Sequence, residues 1–295
     1  EAFHALLTAM MHTEDELQIP FLNQYEAFPQ DKKLHLLWSI YTYPGVAEEP
    51  RSLALILLRR LLSSSWVQIV SVWRYDNLTQ FCNALIIAAH TEPSDIVREK
   101  LAELMGEVAR RRIDVNTGAQ KWTEMTQFLQ FCASSDYTPL KQTALSIIAD
   151  VPNVFGNATR SCVPGLKAFF ERCLHDQTVR SAALKAYVSF LIECDHDFET
   201  IESLGTLTPT AIEVCVLMAT TEGVDDIPLQ CISSLADSLP SVLQPHLSAV
   251  ISLCSQIIHN TEKEESHRHS AMDLLTFLFE NAHEDPLQER WNNIV

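Results

Sequence analysis

Cys194, Asp195 and His196 bring together, in three consecutive positions, the residue types of a nucleophile, an orienting acid and a base. Neighbours in a chain cannot line up as a hydrogen-bonded relay of nucleophile, base and orienter. The tripeptide therefore reads as a loop, and Cys173 with His175 reads the same way. The nearest approach to a metal site is His259 with Glu264, Glu265, His267 and His269. His267 and His269 fall on different sides of a helix and do not chelate together there, so this segment reads as a solvated polar turn opening the last helix. Arg59 and Arg60 follow an apolar run and lead into Ser63, Ser64 and Ser65. Two readings of that pair stand side by side: a basic helix end favoured by the macrodipole, and a cationic pair offered to a partner. Arg110-Arg111-Arg112, the densest basic run, reads as a charge cluster at a helix C-terminus rather than a phosphate site.

No nucleotide-binding glycine loop, His-Glu-x-x-His metal motif or Gly-x-Ser-x-Gly elbow occurs in the sequence. The eight cysteines include no Cys-x-x-Cys and lie in apolar helical contexts, as in Phe131-Cys132-Ala133. Free, buried thiols in a reducing compartment are expected, with no metal and no cofactor. The formal charge is −17. A field of that sign repels phosphate and favours basic ligands, so no direct nucleic-acid contact is expected. Seven glycines in 295 residues is a low count for folds built on hairpins or phosphate loops. Enzyme chemistry finds no foothold, and the residues must be read through the elements that carry them.

Those elements are helical. Apolar residues recur at helical spacing between short breaks rich in Pro, Gly, Asn or Asp, and no segment alternates with period two. A polar or basic residue followed by a small residue and then leucines recurs at Arg51 to Ala54, Arg98 to Ala102, Lys141 to Ala144, Arg180 to Ala183, Gln230 to Ile232 and Arg268 to Ala271. These anchors start 47, 43, 39, 50 and 38 residues apart, scattered about the forty-odd residues of a HEAT-type helix pair. Each anchored B helix is preceded by an amphipathic A helix, for example Lys32 to Tyr43, Leu78 to His90, Trp122 to Ser134 and Val163 to His175. An atypical pair, Ala2 to Met11 and Glu14 to Phe28, caps the N-terminus. The predicted fold is all-α, a right-handed superhelical solenoid of about seven HEAT-repeat helix pairs. It forms a single domain over 1–295, with repeats at 1–28, 30–65, 66–113, 119–152, 159–194, 196–239 and 241–283. The B helices should be the more buried, because partner and neighbours cover them; Leu53 to Leu58 is apolar all round. A generic helical bundle does not explain the period.

Uninterrupted apolar runs such as Leu53 to Leu58 and Ala84 to Ala89 stop at six residues, short of the ~20 that cross a bilayer, so no membrane insertion is expected. No basic segment leads into an apolar one at the N-terminus, and the first residue is Glu1, which reads as a trimmed chain.

The stretch Leu57-Leu58-Arg59-Arg60-Leu61-Leu62-Ser63-Ser64 resembles the second B helix of the importin-beta (karyopherin-beta) nuclear transport receptors, closest to the karyopherin beta-3 or importin-five branch. The resemblance continues in order through Tyr25-Glu26 before Pro29, Ile113-Asp114 with Gly118 and Trp122, and Phe155-Gly156-Asn157. It extends through Asp176-Gln177 with Val179-Arg180, Leu243-Gln244-Pro245-His246-Leu247 and Asn293-Ile294-Val295. Phe21-Leu22 departs from the family's Ala-Glu pair, and Arg110-Arg111-Arg112 is more basic than the related segments.

What the resemblance implies is an N-terminal fragment of a longer receptor that shuttles between cytoplasm and nucleus. It implies binding of Ran-GTP on the concave B-helix face, of cargo with basic localisation signals, and of Phe-Gly nucleoporins between A helices. By motif match Arg59, Arg60 and Ser63 fall where B-helix residues face Ran. Glu99, Glu103 and Arg110, on one face of the next B helix, are the further candidates. On the period alone, a HEAT scaffold subunit of a phosphatase or chromatin assembly is the alternative.

Overall fold

A computed structural model describes residues 2–12, 20, 23–73, 75–221, 226–261 and 264–281. The chain divides into two compact units, 1–159 and 160–295. The first carries α1 (Ala2–His12), α2 (Gln30–Thr42), α3 (Glu48–Val72), α4 (Tyr75–Thr91), α5 (Asp95–Arg111), α6 (Thr123–Ser134) and α7 (Thr138–Asp150), then a 3₁₀ turn at Gly156–Ala158. The second carries α8 (Thr159–His175), α9 (Arg180–Glu193), α10 (Phe198–Gly205), α11 (Thr208–Thr221), α12 (Ile227–Ser238), α13 (Pro240–Leu243), α14 (Leu247–His259) and α15 (Glu265–Asn281). An isolated antiparallel bridge, Ile113 to Gln120, is the sole extended pairing among the described residues. The fold is an all-α solenoid of HEAT-type pairs.

The six anchors open α3, α5, α7, α9, α12 and α15. Their small residues Ala54, Ala102, Ala144, Ala183 and Ala271 are almost completely buried, and Ile232 takes that place in α12. A methyl there lets one B helix approach the next, and within unit 1 α3 packs on α5 and α5 on α7. Gly106 takes the same role one turn on: a β-carbon at 106 would stand 3.2 Å from the Val151 side chain. The difference between A and B helices follows from this stacking. In α5 ten of 17 residues are buried, against four of 12 in α6. Ser94 caps α5 by accepting from the Val97 N–H at 3.3 Å, satisfying one of the unpaired donors of its first turn.

In α3 the helical dihedrals fail at Ser65 (φ −131°, ψ 21°), and the chain continues helically to Val72. The helix beginning at Glu14 and the words Phe21-Leu22 and Asn293-Ile294-Val295 lie wholly or largely outside the described residues. Within the first pair, Phe3, Leu6, Leu7 and Tyr25 are buried, and Phe3 meets Phe28 edge-on at 5.2 Å.

Counting only unbroken apolar runs understates the apolar length of two helices. Glu48–Val72 and the stretch Pro240–His259 are long and apolar enough to cross a membrane, with mean hydropathies of 1.5 and 1.3. Short interruptions, such as Arg59-Arg60, Ser63 to Ser65 and Gln68 in α3, break the runs but leave the average high. Within the fold, α3 lays this surface against α1, α2 and α5, and α14 lays its own against α11 and α15.

Candidate partner-binding face

Where α3, α5 and α7 stack, their charged residues form a ladder. Arg59 of α3 reaches Glu103 of α5 at 2.5 Å. Lys100 meets the same carboxylate at 2.7 Å and Glu99 at 3.2 Å. One turn further, Glu107 takes Arg110 at 2.7 Å and Arg111 at 2.8 Å. Arg110 also donates to the Asp150 carbonyl at the end of α7, and Arg111 to the Ser63 carbonyl of α3, both at 2.8 Å.

Helical spacing produces this arrangement. Glu107 lies four residues after Glu103, and Arg110 and Arg111 lie three and four residues after Glu107, so both arginines reach the carboxylate on that face of α5. The Glu107 side chain is only 6% exposed, and a carboxylate so buried is tolerable because two guanidiniums bond it. The ladder sets its own electrostatics. The hydrogen bond that Lys100 donates to Glu103, ahead of the opposing effect of partial burial, raises the Lys100 ammonium above its ordinary value. Desolvation among the helix ends, then the Glu103 charge, pushes the Asp150 carboxyl up, against the pull of Arg110, Arg59 and Lys100. Four cations, Arg59, Lys100, Arg110 and Arg111, stand against four carboxylates, Glu99, Glu103, Glu107 and Asp150.

The structure thus joins Arg59, Glu99 and Glu103 through Lys100, joins Ser63 and Arg110 through Arg111 and Glu107 one turn along, and leaves Arg60 beside them. Arg60 is exposed, turned about 100° from Arg59, near Tyr25. Burial and Glu26 push that phenol up to about 12 while Arg60 pulls it down. Glu99 is exposed and pairs with Lys100. Lys100, Glu107 and Asp150 escaped the sequence reading, and Arg111 entered it only as part of the basic cluster at a helix C-terminus, where it stands. Glu107 had a visible signal, three and four residues before two arginines. Asp150 had none, since its place beside α5 depends on how the repeats stack. The arginine run is spent on backbone caps: Arg112 donates to the Lys121 carbonyl at 2.7 Å, as its two neighbours do to Asp150 and Ser63.

The other candidate chemistry does not assemble. His196 meets Asp195 at 3.1 Å on the open surface. Burial pushes the Cys194 thiol up to about 11, which withholds the thiolate a nucleophile needs. Cys82, Cys132 and Cys254 are raised by burial as well, to about 11, 12 and 11. All eight cysteines are free. No group of three or more potential metal ligands forms among the described residues. One expectation is overturned here: His267 does not sit in a solvated turn. It is 5% exposed, with Nε2 3.0 Å from Asp226 Oδ1, because position 267 falls on the inner face of α15, four residues before the buried Ala271.

Stacked pairs whose B helices α3, α5, α7, α9 and α12 begin at 48, 95, 138, 180 and 227 define a HEAT-type α-solenoid protein, the spacing being longer than the 34 residues of a tetratricopeptide unit. The family model described as IPO5-like, TPR repeats, matches residues 93–253. The chain belongs to the importin-beta family, in its IPO5-like, karyopherin beta-3 branch. Importin subunit beta-3 of Saccharomyces cerevisiae is 22% identical over 277 residues, covering 92% of this chain and 24% of that protein. The crystal structure of Kap121p matches with a TM-score of 0.73 at 18% identity, over 96% of this chain and 27% of that one. Kap121p bound to Pho4p matches with a TM-score of 0.72 at 18% identity, over 95% and 27%. Kap121p bound to Nup53p gives 0.71 at 18%, over 95% and 26%. The chain spans about a quarter of the length of these relatives.

Proposed function

We propose that this chain is the Ran-GTP-binding part of a nuclear transport receptor that carries basic-signal cargo through nuclear pores, shuttling between cytoplasm and nucleus. Family membership carries the reading. Kap121p, its structural relative, is seen bound to Pho4p and to Nup53p, which supports cargo and nucleoporin partners here. Residues 1–295 are read as a single HEAT solenoid within a longer receptor.

The mechanism is exchange of partners, without bond chemistry. Ran-GTP meets the α3–α5–α7 ladder, where Arg59, Ser63, Glu99, Glu103 and Arg110 are already held by internal partners, with Arg60 flanking. Because that face is neutralised from within, a partner that trades ion pairs with it leaves few charges stranded, and complementarity of that kind gives specificity more than raw affinity. Cargo and Ran are linked reciprocally: each weakens the other's binding by the same factor. The −17 charge steers basic cargo toward the protein and loses that effect as salt rises.

Titration calorimetry against Ran loaded with a non-hydrolysable GTP analogue, and separately with GDP, tests the reading. GTP-selective binding that weakens in the Arg59→Glu, Arg60→Glu double variant, with an unchanged circular dichroism spectrum, is expected. Equal affinity for the two nucleotide forms overturns it. Selectivity that survives the reversal moves the site away from these arginines.

A further inference from the structure

Two prolines follow a threonine, at Thr138-Pro139 and Thr208-Pro209, and none follows a serine. A hydroxyl directly before proline is the word that proline-directed kinases read, because proline brings no N–H to the cleft and biases the preceding residue toward an extended conformation. The first word is completed by a cation, Lys141, three residues after the hydroxyl; the second has Ala211 in that place. The fold separates them further. Thr208 is 1% exposed, its hydroxyl lies 2.9 Å from that of Tyr187, and Leu207 before it is buried as well. Thr138 stands half-buried where α6 gives way to α7, directly after Asp136 and Tyr137, which are both exposed. The backbone on that side is already extended, with φ −81° and ψ 142° at Ser135 and φ −76° and ψ 108° at Tyr137. On the other side two hydrogen bonds, from the Leu140 and Lys141 N–H groups to the Tyr137 carbonyl at 3.1 and 3.3 Å, close the first turn of α7. Opening one turn at a helix end costs far less than unfolding the unit, so the segment can enter a kinase cleft as a strand.

We infer that Thr138 is a phosphorylation site for a proline-directed protein kinase, and that the phosphate caps α7. The Thr-Pro-x-Lys word, accessible on an extended backbone, carries the assignment; the helix behind it sets the effect. In the transfer the Thr138 Oγ attacks the γ-phosphorus of Mg-ATP. The new O–P bond forms as the bond to the departing ADP oxygen breaks, and the hydroxyl proton passes to the catalytic carboxylate of the kinase. No side chain caps α7 and no acidic residue lies in its first turn, whereas α5 has both the Ser94 cap and Asp95. A phosphothreonine brings a charge of about −1.5 to −2 and three acceptor oxygens to this end, where the macrodipole favours it, and Lys141 lies three residues on, within reach along the helix. Asp150, at the far end of α7, is about 18 Å away, beyond twice the ~8 Å over which exposed charges are felt. The site is therefore independent of the α3–α5–α7 ladder and of the proposed Ran contact.

The test is incubation of the folded 295-residue chain with Mg-ATP and a purified cyclin-dependent kinase, the phosphate being placed by tandem mass spectrometry. Thr138 should be modified and Thr208 left bare. Thr138→Ala should abolish incorporation, and Lys141→Ala should slow it about tenfold, the loss of one charged contact in the cleft. The phosphorylated chain should melt about 2 °C above the unmodified one when followed by circular dichroism, and added salt should shrink that gain. No phosphate at Thr138, or equal incorporation at Thr208, overturns the site. Modification at Thr138 with an equal or lower melting temperature overturns the cap.

Discussion

The backbone of Gly156 passes so close to Gly118 that a β-carbon at 156 would lie 2.3 Å from the Gly118 carbonyl oxygen. Both residues have positive φ, 53° and 67°. That same carbonyl accepts the Asn157 N–H at 2.8 Å, and Gln120 donates across the contact to the carbonyls of Ala109 and Val154 at 3.1 and 2.9 Å. The loop after α5 is thereby fastened to the turn after α7. Asp114 organises the loop from within: the ion pair with Lys121, then the N–H groups of Thr117 and Asn116, hold its carboxyl well below the usual carboxylate range.

Gly156→Ala should therefore destabilise unit 1 by about 2 kcal/mol or more, from left-handed strain together with overpacking against a backbone oxygen. Gly45→Ala, at φ 90° with nothing within 4 Å, carries the strain alone and should cost about 1 kcal/mol. Urea unfolding followed by circular dichroism ranks the two; equal losses would mean that the contact at Gly118 yields freely.

Glu107→Ala removes a buried carboxylate on which two arginines converge, and should cost about 2 kcal/mol. Glu99→Ala, at an exposed pair four residues from Glu103, should stay within about 0.5 kcal/mol. The same unfolding measurement checks both, and adding salt should narrow the loss at Glu99 more than that at Glu107, since exposed pairs are screened and buried ones are not.

Alkaline stability should turn on buried tyrosines. Burial pushes the Tyr187 phenol up to about 12 from an ordinary 10, against the opposing hydrogen bond with Thr208. Its hydroxyl lies 2.9 Å from the Thr208 hydroxyl and donates to the Leu204 carbonyl at 3.2 Å. A folded-state value above the unfolded one favours the folded chain fully below pH ~10, and that advantage is lost as the pH rises toward 12. Stability should fall there by about 1.4 kcal/mol per pH unit for this one group. Tyr187→Phe should flatten the slope while losing about 1 kcal/mol at neutral pH. Urea midpoints taken across pH 9 to 12 decide it.

The repeat architecture was legible because its causes are local. Helical spacing, a small residue that must vanish between stacked B helices, and breaks at forty-odd intervals are all written in short windows of sequence. So were Glu99, Glu103 and Arg110 as members of one face of α5, since helical spacing fixes what shares a side of a helix, whereas Arg59 on α3 was reached through the motif it belongs to. The tertiary structure alone decided whom those residues meet. Arg111 finds Ser63 from 48 positions away, Arg110 finds Asp150 from 40, Gly156 rests on Gly118, and His267 is buried behind Asp226. Each depends on the offset and rotation with which one helix pair settles on the next. That offset is set by the summed packing of many side chains, to which no single stretch of sequence holds the key.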